Sequence, residues 1–289
     1  MASSALIQVY NEWISCVNRK EWGQVGSLVN SPVSLNDDEI YEETHSLDTN
    51  ELVAYLKKRA TSEPAYQSAE VDIITSDNES ECIAVHLIVN SRVQQQYRGF
   101  TSGMDIYHTE QHFVWFTNGK ISRIIKLADI DKTQAATTSG LDLIRDFSCN
   151  QGSLLTKREM EHVYACYLAC VTNRRIETDL AQYCNNQVTL AGNTLDLPDF
   201  ITQIMQSVSL FPDLSWALED IVVDEKTQRM AIRVQLSGTP AKEQPALGLF
   251  PSKVKVSFTE HVVCQLVDEK IARTWNIIDW ANARKQLSV

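Results

Sequence analysis

The chain repeats itself. Val9-Tyr10, Cys16 and Val17 recur in order at Val163-Tyr164, Cys170 and Val171, a constant offset of 154 positions. Downstream, Asn118-Gly119-Lys120-Ile121-Ser122-Arg123 is echoed by Asp268-Glu269-Lys270-Ile271-Ala272-Arg273 at an offset of 150, and the echo runs on to Asp129 and Asp279. Two ends that agree in order with so little drift mark a duplicated domain, because the period is far longer than that of any solenoid repeat. The expected division is copy one over 1–135, a polar linker over 136–154 and copy two over 155–289.

Composition narrows the class. A length of 289 residues fits about two domains of roughly 100–200 residues, and a hydrophobic content of 44% with only ten glycines and seven prolines suffices for two packed cores. The formal net charge of −11, with no basic tract, argues against nucleic acid or an anionic membrane surface as partner. No apolar run approaches the ~18 residues that a membrane span needs. Seven cysteines without close pairing, behind an N-terminus that leads straight into an amphipathic segment, read as reduced thiols in the cytoplasm.

Each copy opens with a helical stripe: Leu6, Val9, Tyr10, Trp13, Ile14 and Val17, then Met160, Val163, Tyr164, Tyr167, Leu168 and Val171. These aromatics read as core, and Tyr10, Trp13, Tyr164 and Tyr167 also as the wall of a cavity beneath the helix. A short strand and a second helix follow, the latter from Thr49 behind Asp48 as N-cap in copy one and from Pro198 in copy two. The back half of each copy is a run of strands separated by turn signals such as Asn118-Gly119 and Asp268-Glu269. Helices first and strands after is α+β logic, and the expectation is two tandem cone-shaped domains, each a curved antiparallel sheet wrapped on its N-terminal helices. Tyr41, Glu43 and His45 read as a loop insertion in copy one.

Copy two carries a recognisable order of motifs. Phe211-Pro212-Asp213-Leu214 leads into Glu219-Asp220-Ile221-Val222, then Met230-Ala231-Ile232-Arg233-Val234, Ser257-Phe258-Thr259, and Lys270-Ile271-Ala272-Arg273-Thr274-Trp275-Asn276-Ile277-Ile278-Asp279. This order resembles the SnoaL-like polyketide cyclases of the nuclear transport factor 2-like superfamily. Copy one resembles them less, keeping the Lys-Ile turn and Asp129 but reading Glu63-Pro64-Ala65 at the corner and Ile125 where copy two has Trp275. The resemblance implies a cone fold and a site at the bottom of an apolar cone. It also implies pairing of the two copies as an internal pseudo-dimer, with further homodimerisation left open.

A carboxylate in such a cone is desolvated, its pKa rises toward working pH, and it becomes a proton acceptor. Asp279, and by repetition Asp129, match the family's terminal-strand acid, although an Asp ending a strand also caps whatever follows it. Arg233, and His86 at the matching place in copy one, fall on one strand face and are candidate oxyanion and proton-relay partners, if that face is the inner one. His112 beside Glu110, and His261 beside Glu260, lie on the strand before the Lys-Ile turn, where a second acid-base residue is expected from the resemblance. Trp275, Trp216 and Gln235, with Asn193 and its counterpart Asn36, complete the candidate substrate contacts. No nucleophile elbow, phosphate loop or dinucleotide fingerprint occurs. His108 and His112 sit four apart in an expected strand rather than a helix, so no metal is expected and cofactor-free chemistry fits best.

The reading is a cofactor-independent cyclase or isomerase, in secondary metabolism, acting on a small apolar carbonyl compound of polyketide or terpenoid type. Epoxide opening or dehydration on the same fold, and a non-catalytic ligand- or protein-binding scaffold, are the alternatives. A buried acid in an open cavity favours the enzyme; a core plugged by side chains favours the scaffold.

Overall fold

The helical stripes are buried as their spacing requires. In the first unit Leu6, Tyr10, Trp13, Ile14 and Val17 of α1 (Ser3–Asn18) pack on the inner face of a sheet, and Met160, Tyr164 and Val171 of α4 (Lys157–Thr172) do so in the second. A computed structural model describes residues 3–37, 41–77, 81–135 and 154–288, which divide into compact units spanning Met1–Arg145 and Asp146–Val289. Nearly all of the expected linker lies outside the described residues. Among the described residues no helix is long and apolar enough to cross a membrane.

After α1, the first unit runs through α2 (Trp22–Val25), β1 (Val29–Asp37), β2 (Tyr41–Leu47), α3 (Thr49–Arg59), β3 (Ala65–Ser76), β4 (Cys82–Arg92), β5 (Asp105–Thr117), β6 (Lys120–Ala128) and the two-residue β7 (Gln134–Ala135). After α4, the second runs through α5 (Ile176–Asp179), β8 (Cys184–Leu190), β9 (Asn193–Asp196), α6 (Leu197–Leu210), β10 (Ser215–Asp224), β11 (Arg229–Gly238), β12 (Val256–Val267), β13 (Lys270–Ile278) and α7 (Trp280–Leu287). The strand orders are β2-β1-β6-β5-β4-β3 and β9-β8-β13-β12-β11-β10, the same topology twice. Helix starts follow local chemistry. Asp48 accepts from the amides of Asn50 and Glu51 while Glu51 accepts from that of Asp48, and Thr156 and Glu159 form the same reciprocal box on α4.

Two expectations need correction. The sheets are mixed rather than antiparallel throughout, because β1 pairs parallel with β6 and β8 parallel with β13. The two parallel partners in each unit are separated in the chain by a helix and four strands, a connection long enough to bring the chain back in the same direction. The segment around Tyr41, Glu43 and His45 is not a loop but β2, an antiparallel edge partner of β1.

Alternation on the central strands decides which residues face the helices. On β12, Phe258, Val262 and Cys264 join the core or cavity beneath α4, and Glu260 shares their face; His261, Val263 and Gln265 take the opposite one. On β13, Thr274, Asn276 and Ile278 share the inner face, and Trp275 and Ile277 do not.

The hairpin turns before β6 and β13 hold two consecutive left-handed residues each: Asn118 (φ 53°) and Gly119 (φ 74°), then Asp268 (φ 50°) and Glu269 (φ 66°). This is the turn geometry that matches strand twist and that asparagine and glycine tolerate best. Glu269 occupies it against its steric preference. Glu269→Gly is therefore expected to stabilise the second unit by about 1 kcal/mol, read as a higher denaturant midpoint with unchanged slope.

Candidate active site

Beneath α4 and α6 the second unit holds a cavity of about 570 Å³. Its walls are Tyr164, Tyr167 and Leu168 of α4, Phe200, Ile204 and Val208 of α6, Trp216, Leu236, Phe258, Val262 and Trp280. Exposed Gln203, Gln206, Lys242, Glu243 and Gln244 also line it and place its polar rim. On its sheet side stand Glu260 of β12 and Asn276 of β13. Val262 is paired across the ladder with Asn276 and Glu260 with Ile278, so Glu260 and Asn276 are diagonal neighbours on one face. The Asn276 amide nitrogen donates to Oε1 of Glu260 at 2.9 Å. Burial pushes the Glu260 carboxyl up to about 7, against the opposing pull of that hydrogen bond. Burial also raises the Tyr164 and Tyr167 phenols well above their ordinary range, and the nearby Glu260 charge adds to the effect. The arrangement is a carboxyl that changes charge near neutrality, beside two phenols that stay protonated, in a chamber with aromatic and aliphatic walls and a polar rim.

Glu110, 150 positions earlier, is the repeat counterpart of Glu260, and Lys126 is that of Asn276. Glu110 is fully buried and met on every side. Arg59 of α3 forms an ion pair with it, Nε2 of His108 and of His112 each lie 3.0 Å from a carboxyl oxygen, and Lys126 Nζ lies 3.6 Å away. Nδ1 of His112 is 3.0 Å from the Tyr10 hydroxyl. A carboxylate only accepts, so Nε2 of His112 carries its proton and Nδ1 accepts from Tyr10. Burial alone raises the Glu110 carboxyl, but Arg59, Lys126 and the two histidines outweigh it and hold it well below the ordinary range. Burial depresses the His112 imidazole despite the attraction of Glu110. Two histidines and a carboxylate at alternate positions of one strand are metal-ligand types, but here Arg59 and Lys126 already supply the positive charge. The floor of the first unit is thus a compensated ion cluster.

The structure distributes the expected site residues widely. Trp216, Tyr164 and Tyr167 line the cavity. Asp279 does not: it is the N-cap of α7, accepting from the Asn282 amide at 2.9 Å. Asp129 pairs with Lys132 at 3.0 Å at the start of a 3-10 turn. Arg233 lies on the face opposite Ile232 and Val234, bound to Asp220 at 2.6 Å and to Glu219. His86 is 3.1 Å from Asp72 on the matching outer face of β4, away from Val85 and Leu87. His261 and Trp275 take the outer face by alternation, and Gln235 bonds Ser257 and Thr259 there. His112 points inward but into the ion cluster, together with Tyr10, whose ring lies 5.7 Å from that of Trp13. Asn193 is exposed at the start of β9, and Asn36 takes the face of β1 opposite Val33 and Leu35. Glu260 entered the sequence reading only as the neighbour of His261, and Asn276 did not enter it as a site residue. The signal that singles out Glu260 is the repeat itself, which keeps Thr-Glu at both Thr109-Glu110 and Thr259-Glu260.

The two carboxyls make opposite contributions to stability. Glu110, held low, stabilises the fold above the unfolded carboxyl range, and this is lost as pH falls through its folded value. Glu260, held high, stabilises below about 4.5 and ceases to do so as pH rises through about 7. Glu110→Gln should cost about 3–5 kcal/mol at neutral pH, since it leaves buried cations uncompensated. Glu260→Gln should gain up to roughly 3 kcal/mol at pH above ~8 and nothing below ~4. Denaturant unfolding at two pH values checks both.

Residues 161–287, just under half the chain, match the family model of the SnoaL-like polyketide cyclases. Solved structures similar to this chain include a SnoaL-like polyketide cyclase from Agrobacterium tumefaciens (24% identity, TM-score 0.41, covering 44% of this chain and 97% of that one). TsrD from Streptomyces laurentii is another (20% identity, TM-score 0.41, covering 46% and 97%). No curated protein matches the chain. The second unit thus matches the SnoaL-like polyketide cyclase family over 161–287, and the first unit repeats its strand order within the same chain.

Proposed function

We propose that the second unit is a cofactor-independent cyclase or isomerase in which Glu260 is the general base. The observation that carries this is one carboxyl, raised by burial to about 7 and hydrogen-bonded by the neutral amide of Asn276, in a cavity large enough for a small molecule. A base poised near working pH is the most efficient, because it is ionised often enough to accept a proton and basic enough to take it from carbon. The family match supports a small carbonyl-containing substrate of polyketide type.

Chemically, ionised Glu260 removes a proton from the carbon next to a carbonyl. The electron pair shifts onto oxygen as an enolate, and the Tyr164 and Tyr167 hydroxyls, kept protonated by burial, supply donors for that oxygen. The enolate then either takes the proton back at another carbon, which is isomerisation, or attacks a second carbonyl, which is cyclisation, and the proton returns from Glu260. The first unit supports a structural role in this reading, since Glu110 is ionised and fully engaged.

Deuterium uptake next to the carbonyl of β-tetralone, an apolar bicyclic ketone, tests the base directly. The rate should rise with pH through about 7 as Glu260 ionises. Glu260→Gln should lower it roughly a hundredfold or more. Asp279→Asn should change it little, because asparagine caps a helix about as well as aspartate. Equal rates for wild type and Glu260→Gln would overturn the assignment.

A further inference from the structure

We propose that Asn276 is the positioning residue of this site: its amide holds one oxygen of Glu260 on the sheet and leaves the other directed at the cavity. The proposal rests on Glu260 being the working carboxyl. It stands first on geometry. Asn276 Nδ2 lies 2.9 Å from Glu260 Oε1, both side chains line the cavity, and the β12–β13 register makes them diagonal neighbours.

The second observation comes from the repeat. In the first unit the same register brings Lys126 to the same place beside Glu110, where Val262↔Asn276 corresponds to His112↔Lys126. The carboxyl with an ammonium there is kept ionised, and the carboxyl with an amide there is not. An amide donates one hydrogen bond without adding charge, so it fixes the orientation of Glu260 while letting it exchange a proton. The other groups facing Glu260 do not compete for that role. Tyr164 and Tyr167 come from α4, Cys264 lies on its own strand with a thiol that burial pushes up, and β11 presents only apolar side chains such as Val234. Lys242 and Glu243 are exposed at the rim.

The test is a carbon-13 titration of glutamate carboxyls in the full chain, with the Glu260 signal identified by its loss in Glu260→Gln. Asn276→Leu should move the Glu260 midpoint up by about one pH unit, the loss of one hydrogen bond to the charged form. Asn276→Lys should move it down by about two units, as an adjacent cation does. With β-tetralone, Asn276→Leu should lower the limiting exchange rate about tenfold, measured at a pH above its own midpoint, with little change in the half-saturating concentration. Asn276→Gln, which keeps the amide, should restore part of the loss and serves if Asn276→Lys does not fold. An unmoved midpoint in folded Asn276→Leu overturns the proposal, even if Glu260→Gln is inactive and the base assignment stands. Moved midpoints together with an active Glu260→Gln would instead sink the base assignment and leave the amide's hold on Glu260 intact.

Discussion

Burying a carboxyl is the constraint on which both units turn. The same strand position, one residue after a threonine on the strand before the Lys-Ile turn, points a glutamate at the inner face of each sheet. A charge there has lost all of its water in Glu110 and much of it in Glu260, and two responses lower the cost. It is surrounded by opposite charge and stays ionised, or it moves its pKa and goes neutral. The first unit takes the first course with Arg59, Lys126, His108 and His112. The second takes the other, with Asn276 and an apolar wall.

Packing follows from that choice. Where the glutamate is compensated, the side chains that do it occupy the floor: Arg59 reaches in from α3, its guanidinium 4.8 Å over the ring of Tyr66, and Tyr10 descends from α1 onto His112. Where it is not, the equivalent space beneath α4 is left to a cavity with Tyr164 and Tyr167 in its wall. The two copies differ in stability as a result: the first is tied together by its buried ions, and the second carries a desolvated carboxyl whose ionisation weakens the fold. Perturbed groups in clefts mark functional sites on this physical ground.

Much of the fold was legible because its signals are local. The apolar stripes of α1 and α4, the Asp48 cap and the Asn118-Gly119 turn each depend on neighbours a few residues away, and all fall where the spacing predicts. The parallel pairing of β1 with β6 and of β8 with β13 was not legible, because it depends on strands far apart in the chain. The site was legible only in part. Tyr164, Tyr167 and Trp216 are large aromatics whose burial the stripe and the corner announce. Asp279 drew attention by recurring in both copies, but it caps α7 in one copy, and its counterpart Asp129 pairs with Lys132 at the start of a 3-10 turn in the other.

The sequence by itself determined that the chain is a duplication, that each copy is α+β, and that copy two follows the SnoaL-like pattern, because repeats, periodicity and motif order are properties of a string. Only the tertiary structure decided which face of each strand looks inward. That one bit of information, the phase of a two-residue alternation, sent Arg233, His261 and Trp275 to the outer face and Glu260 and Asn276 to the cavity. It also decided that Glu110 and Glu260, alike in sequence, are unlike in chemistry. Their pKa values are set by Arg59 and Lys126 in one case and by desolvation beside Asn276 in the other; Arg59 comes from a distant helix, and the hairpin register brings Lys126 and Asn276 alongside.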